Sequence, residues 1–118
     1  MTDYGAMDVY DLCEAVGTRL GYHVLGERDK FVLIFPNGDP YRKHRDTERE
    51  AWEDSPNWPR WPDAAFELSL PEGFTITKVP DGWRAWVGNP DRFPFVRPKV
   101  AEAVSCGWLA CHDAGAGQ

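Results

Sequence analysis

The chain carries 118 residues with a formal charge of −6 and an isoelectric point near 4.9, the size of one domain that can build a hydrophobic core without disulfide or metal support. Its acidity opposes general affinity for nucleic acid or an anionic membrane and favours partners with basic surfaces, including basic grooves that nucleic acid would otherwise occupy. Aromatic residues at 14%, with 11 glycines and 10 prolines, argue for short elements joined by defined turns rather than for disorder.

Asp3, Asp8 and Asp11 mark an N-terminal segment without the apolar stretch of an export signal, and no apolar run approaches the roughly 20 residues of a membrane span. The expected location is cytoplasmic. Asp8 is the predicted N-cap of a helix running to Leu20, with Val9, Leu12, Cys13, Val16 and Leu20 at helical spacing and Gly21 as the stop. Residues 22–25 and 31–35 read as strands around a polar turn. The second, FVLIF, is a continuous apolar run that predicts a central, buried strand. Pro36-Asn37-Gly38-Asp39 turns the chain, and Thr47 with Glu50 forms a capping box. It opens a short charged helix through Glu53 that can bury only Ala51 and Trp52.

The run PNWPRWP, from Pro56 to Pro62, sets two of the six tryptophans among three prolines at a period of three. Each proline fixes φ and removes a backbone donor, so the run predicts a stiff polyproline-like strap. Such a strap cannot hide every side chain against one surface. Trp61 is therefore expected against the sheet and Trp58 outward, where a rigid aromatic binds at low entropic cost.

Pro62 opens a short helix containing Ala64, Ala65, Phe66 and Leu68, closed by Pro71 and Gly73. Residues 74–79 and 83–87 predict a hairpin across Pro80-Asp81-Gly82. Asn89-Pro90-Asp91 turns again, and residues 93–96 add a third strand that Pro94 confines to an edge. A last helix from about Pro98 to His112 carries Val100, Ala101, Val104, Trp108, Leu109 and Cys111 on a broad apolar stripe, leaving residues 113–118 as a frayed tail. Leu33, Phe35, Val104 and Leu109 are expected in the core, with Trp83 and Trp108 between sheet and closing helix. The fold class is α+β, a single domain with a mainly antiparallel sheet packed by helices in a sandwich-like arrangement.

An offset of 52 residues brings Gly21-Tyr22 onto Gly73-Phe74 and Phe31 onto Trp83. It also brings Asn37 and Asp39 onto Asn89 and Asp91, and Glu50-Ala51 onto Glu102-Ala103. Two explanations fit, an ancestral duplication or two common α/β units in a row.

The second half resembles small phage proteins of the ABA-sandwich domain family, in which a sheet sits between helices. The segments that carry the resemblance are the strap leading into DAAFEL, the strands GFTITKV and GWRAWVG, and the closing helix KVAEAVSCGWLACHDA; the leading LCEAVGTRLGY is also similar. The resemblance implies a phage or prophage origin and an α/β sandwich. It carries over no catalytic residue, since fold alone supplies none.

The residues themselves offer little chemistry. Cys13, Cys106 and Cys111 are odd in number and lie on predicted helices, which reads as reduced packed thiols. Cys106, Cys111 and His112 lack metal-ligand spacing, so no metal and no cofactor is expected. Cys13 with His23 or His112 could form a nucleophilic pair only if the fold joined them. Phosphate-cradling and hydrolytic motifs are absent from the sequence, and a non-enzymatic role is the expectation. Glu48, Glu50, Glu53 and Asp54 read either as a solvated helix face or as an acidic ridge, which with Trp58 and Arg60 would meet a basic partner protein or nucleoprotein. The basic run Arg42-Lys43-His44-Arg45 offers a second reading, in which Arg42, Lys43 and Arg45 hold a nucleotide or phosphate. A third is a structural or assembly protein associating through exposed aromatics. Combined with the phage resemblance, the first reading expects an inhibitor of a host macromolecule, of the anti-CRISPR kind directed at bacterial defence.

Overall fold

Every residue from Ala101 to Leu109 is buried, which makes the closing helix the axis of a computed structural model that describes residues 4–88 and 95–116. This helix, α4 (Val100–Ala116), packs on the three-stranded antiparallel sheet of β3 (Phe74–Val79), β4 (Gly82–Val87) and β5 (Phe95–Arg97), in the order β3-β4-β5. Gly107 permits the close approach, because a Cβ there would lie 2.9 Å from Val87 Cγ2. Flanking α4 are α1 (Val9–Leu20) and α3 (Pro62–Ser69). Leu12, Val16, Trp58, Ala65, Ala85, Val87, Val104 and Leu109 belong to one core cluster. Each leucine-sized side chain in it contributes about 1.5–3 kcal/mol by leaving water.

The other strands, β1 (His23–Glu27) and β2 (Lys30–Ile34), form a separate antiparallel hairpin on which the short α2 (Glu48–Trp52) packs. The run FVLIF, expected as a central strand, is instead one of two strands in a small sheet of its own, because the chain after it returns beside it only as isolated bridges. On its far side it meets only single bridges, Phe31 with Arg45 and Ile34 with Pro40. Val32 and Leu33 are buried, whereas Phe35 is half-buried, a correction to its expected core position that follows from its place at the end of this hairpin.

Caps fix the helix starts as the sequence predicts. Asp8 accepts from the Tyr10 N–H at 2.6 Å, and Thr47 Oγ1 accepts from the Glu50 N–H at 3.1 Å. Asp113, expected in a frayed tail, lies within α4, where its carboxylate accepts from Arg19 at 2.7 Å and from the Tyr4 hydroxyl. The expected turn at residues 89–91 and the residues Phe93 and Pro94 lie outside the described residues, while β5 pairs Phe95 with Ala85 at a sheet edge. The outer face of that sheet exposes Thr75, Thr77, Arg84 and Val96 around a half-buried Trp86. Trp83 is half-buried against the core, and Trp108 is in it.

The 52-residue offset holds element by element. Helix, two-stranded hairpin and helix recur in each half, and the hairpin registers coincide: His23 with Ile34 and Glu27 with Lys30 become Thr75 with Trp86 and Val79 with Gly82. The bridge of Phe31 to Arg45 recurs as the pair of Trp83 with Arg97. Both arginines are paired with a carboxylate, though not at corresponding positions. Arg97 pairs with Glu102 at 2.7 Å in a buried site and donates to the Gly5 and Met7 carbonyls, and Arg45 pairs with Asp54 at 2.5 Å.

Candidate functional site

Between the start of α1, α2 and the proline run lies an open cleft of about 440 Å³, lined by Asp8, Val9, Tyr10, Cys13, Arg49, Trp52, Glu53, Asn57 and Arg60. The two helices touch at Gly17, where a Cβ would lie 2.6 Å from Trp52 Cζ3, and stand apart toward the N-terminus of α1. At the mouth, the Arg49 guanidinium lies 4.4 Å from the Tyr10 ring centroid and 3.7 Å from the Asp8 carboxylate. Glu48, Arg49, Glu53 and Arg60 are all exposed.

Burial is the main reason the Glu14 carboxyl is held above its ordinary pKa, and the neighbouring charges of Glu48 and Asp11 add to it. The Tyr10 hydroxyl is likewise raised, first by burial and then by Glu14 and Glu48. Asp11 and Glu14, three residues apart on α1, share one helix face, and Glu48 of α2 is near enough to act on Glu14. Deeper in the cleft, burial pushes the Cys13 thiol up, despite a hydrogen bond shared with Ser55 and the field of Arg60. Its sulfur lies 3.5 Å from Ser55 Oγ and 3.9 Å from the Pro56 carbonyl. A buried thiol kept neutral in this way is a poor nucleophile, and its described partners include neither His23 nor His112.

The proline run corrects the sequence reading most sharply. It is coiled, not extended: the Arg60 and Trp61 N–H groups both donate to the Asn57 carbonyl, at 3.0 and 2.8 Å. That turn reverses the two tryptophans. Trp58 is 4% exposed, with its ring edge-on to Tyr22 at 5.6 Å, so it leaves the set of contact residues; Trp61 is 58% exposed and takes its place.

Two further candidates are already engaged within the fold. Asp54, with its side chain 4% exposed, and Arg45 neutralise each other in a bidentate pair. Neither is available to a partner or a nucleotide. Arg42 and Lys43 are exposed but line no part of the cleft. Glu50 is half-buried and is bonded by the Thr47 hydroxyl. Of the expected ridge, Glu53 and Arg60 line the cleft with Asp8 and Tyr10 from the start of α1, while Glu48 stands outside the lining, near enough to Tyr10 and Glu14 to act on both. The signal for Asp8, Tyr10 and Glu14 was available in the first helix as its polar stripe, but nothing local showed that α2 would lie beside it.

Among the described residues, no group of three or more His, Cys, Asp or Glu side chains gathers to hold a metal ion, and no helix is long and apolar enough to cross a membrane. The chain matches no protein-family model, no curated protein and no solved structure.

Proposed function

We propose that the chain is a non-enzymatic binding protein of phage or prophage origin whose α1–α2 face docks on a basic surface of a host macromolecule, a component of bacterial defence. The observation that carries the docking reading is that Asp11 and Glu48 both stand near enough to Glu14 to act on it, with Glu53 exposed at the end of α2. Like charges held together cost free energy in the isolated protein, and a cationic partner relieves that cost on binding. The exposed Trp61, next in the chain to the cleft residue Arg60, supplies an aromatic anchor of the type that dominates interfaces. Phage origin and the defence target rest on the resemblance of the second half, and the site residues are independent of it.

Capture from bacterial lysate with the purified protein tests this reading, run beside mass spectrometry of any small molecule released on denaturation. A stoichiometric protein partner is the expected result. Reversing two charges, Glu14→Lys with Glu48→Lys, should slow association with that partner and flatten its dependence on ionic strength. Association unaltered by the reversal would remove the acidic face, and a released nucleotide would overturn the docking reading in favour of ligand binding.

A further inference from the structure

The internal repeat explains why the cleft exists. At the 52-residue offset, its lining residues Cys13, Arg49, Trp52 and Glu53 correspond to Ala65, Ala101, Val104 and Ser105. Those four are buried where α3 packs against α4. In the second half, small side chains let the two helices close. In the first half, the buried Cys13 and Trp52 and the exposed Arg49 and Glu53 stand in the same positions, and toward the N-terminus of α1 the helices part into a cleft open to solvent. The cleft is thus where the first half's helix pair stands apart, with the charged Arg49 and Glu53 where the second half has Ala101 and Ser105.

The mouth already holds one guanidinium, the protein's own. Arg49 sits over the Tyr10 ring at 4.4 Å, the geometry of a cation–π contact, with the Asp8 carboxylate 3.7 Å away. Its hold is weak, because the Asp8 contact is longer than a hydrogen bond and the Arg49 side chain is 62% exposed. Glu14, Glu48 and Asp11 are near enough to the Tyr10 hydroxyl to act on it. The result is an aromatic ring holding a loosely kept guanidinium, with the Asp8 carboxylate beside it.

We infer that the mouth of this cleft is a guanidinium site, kept by Arg49 in the free protein and taken over by an arginine of the partner when the acidic face docks. The inference rests on the docking reading above and names the side chain that the face recognises. Arginine fits better than lysine here, because its planar group stacks on an aromatic ring while donating sideways to carboxylates.

The test uses an acetylated, amidated tetra-arginine peptide and its tetralysine counterpart, titrated into the full chain at low salt and followed through the Tyr10 ring resonances. Tetra-arginine should bind more tightly than tetralysine and shift those resonances. Tyr10→Ala should weaken it by about two- to fivefold, the scale of one exposed cation–π contact. Arg49→Ala should strengthen it by a similar factor, whereas Arg42→Ala, which removes the same charge away from the cleft, should have a smaller effect. Equal binding of the two peptides, with no response to Tyr10→Ala or Arg49→Ala, overturns the guanidinium site and leaves the acidic face standing. Failure of both peptides to bind overturns the site and the docking reading together.

Discussion

Trp58 touches Tyr22 edge-on and belongs to the core cluster that includes Ala65 and Leu109, while Trp61, three residues on, projects into solvent. The two rings should respond to truncation in opposite ways. Trp58→Ala should cost about 3–5 kcal/mol, as for a large aromatic removed from a core. Trp61→Ala should change stability by no more than about 0.5 kcal/mol yet weaken partner binding by about 2 kcal/mol, the scale of an aromatic hot spot. Urea unfolding and a binding titration on the same two variants check the pair. The composition of this run was legible from the sequence, but its sidedness was not. Three prolines argue for an extended strap, and the turn that reverses the rings depends on an Asn57 carbonyl accepting two donors. Arg45 illustrates the same limit. As one of four adjacent basic residues it reads as a ligand contact, and only the folded chain brings Asp54 against it.

Helix limits were the most legible feature at the scale of elements, because caps and apolar spacing are local. Asp8, Thr47 and Pro62 each stand where the sequence places a helix start. Partner choice between elements is non-local, and there the sequence says less: nothing in it separates the first hairpin from the main sheet or places α2 beside α1. One such long-range contact joins α1 to the end of α4, where Arg19 and the Tyr4 hydroxyl both donate to Asp113. The hydrogen bond from Arg19 chiefly holds the Asp113 carboxyl below its ordinary pKa, with a further contribution from Tyr4. For a depressed carboxyl, the stabilisation is present above the unfolded-state pKa and is lost as pH falls through the lower folded value. Asp113→Asn should therefore be less stable than the parent at pH 7, with the difference shrinking as pH drops below about 4. Thermal unfolding of both proteins across that range measures it, and a constant difference would show that Asp113 acts through packing alone.

For the whole molecule, the repeat at an offset of 52 residues was legible through a handful of identities, and the structure extends it to strand register and to the backbone bridges at Arg45 and Arg97. The sequence could not show that the halves would diverge in packing. That depends on side-chain volume across a helix pair, Ala101 against Arg49 and Ser105 against Glu53, and each substitution is unremarkable taken alone. The halves also share one core, since Leu12 and Val16 of α1 belong to the same cluster as Val104 and Leu109 of α4. The contact of Tyr4 with Asp113, with Arg97 holding the Gly5 and Met7 carbonyls, brings the beginning and end of the described chain side by side. The described residues thereby approach a closed ring, in which the packing at Tyr4 does not depend on its being near one end. A circular permutant of residues 4–116, with those two ends joined by a short glycine-serine linker and new ends opened in the exposed turn at Asn37-Gly38, should keep the parent's near-ultraviolet circular dichroism and cooperative unfolding. Loss of cooperative unfolding would mean that the first hairpin must stay continuous with Asp39 and Pro40 for the fold to form.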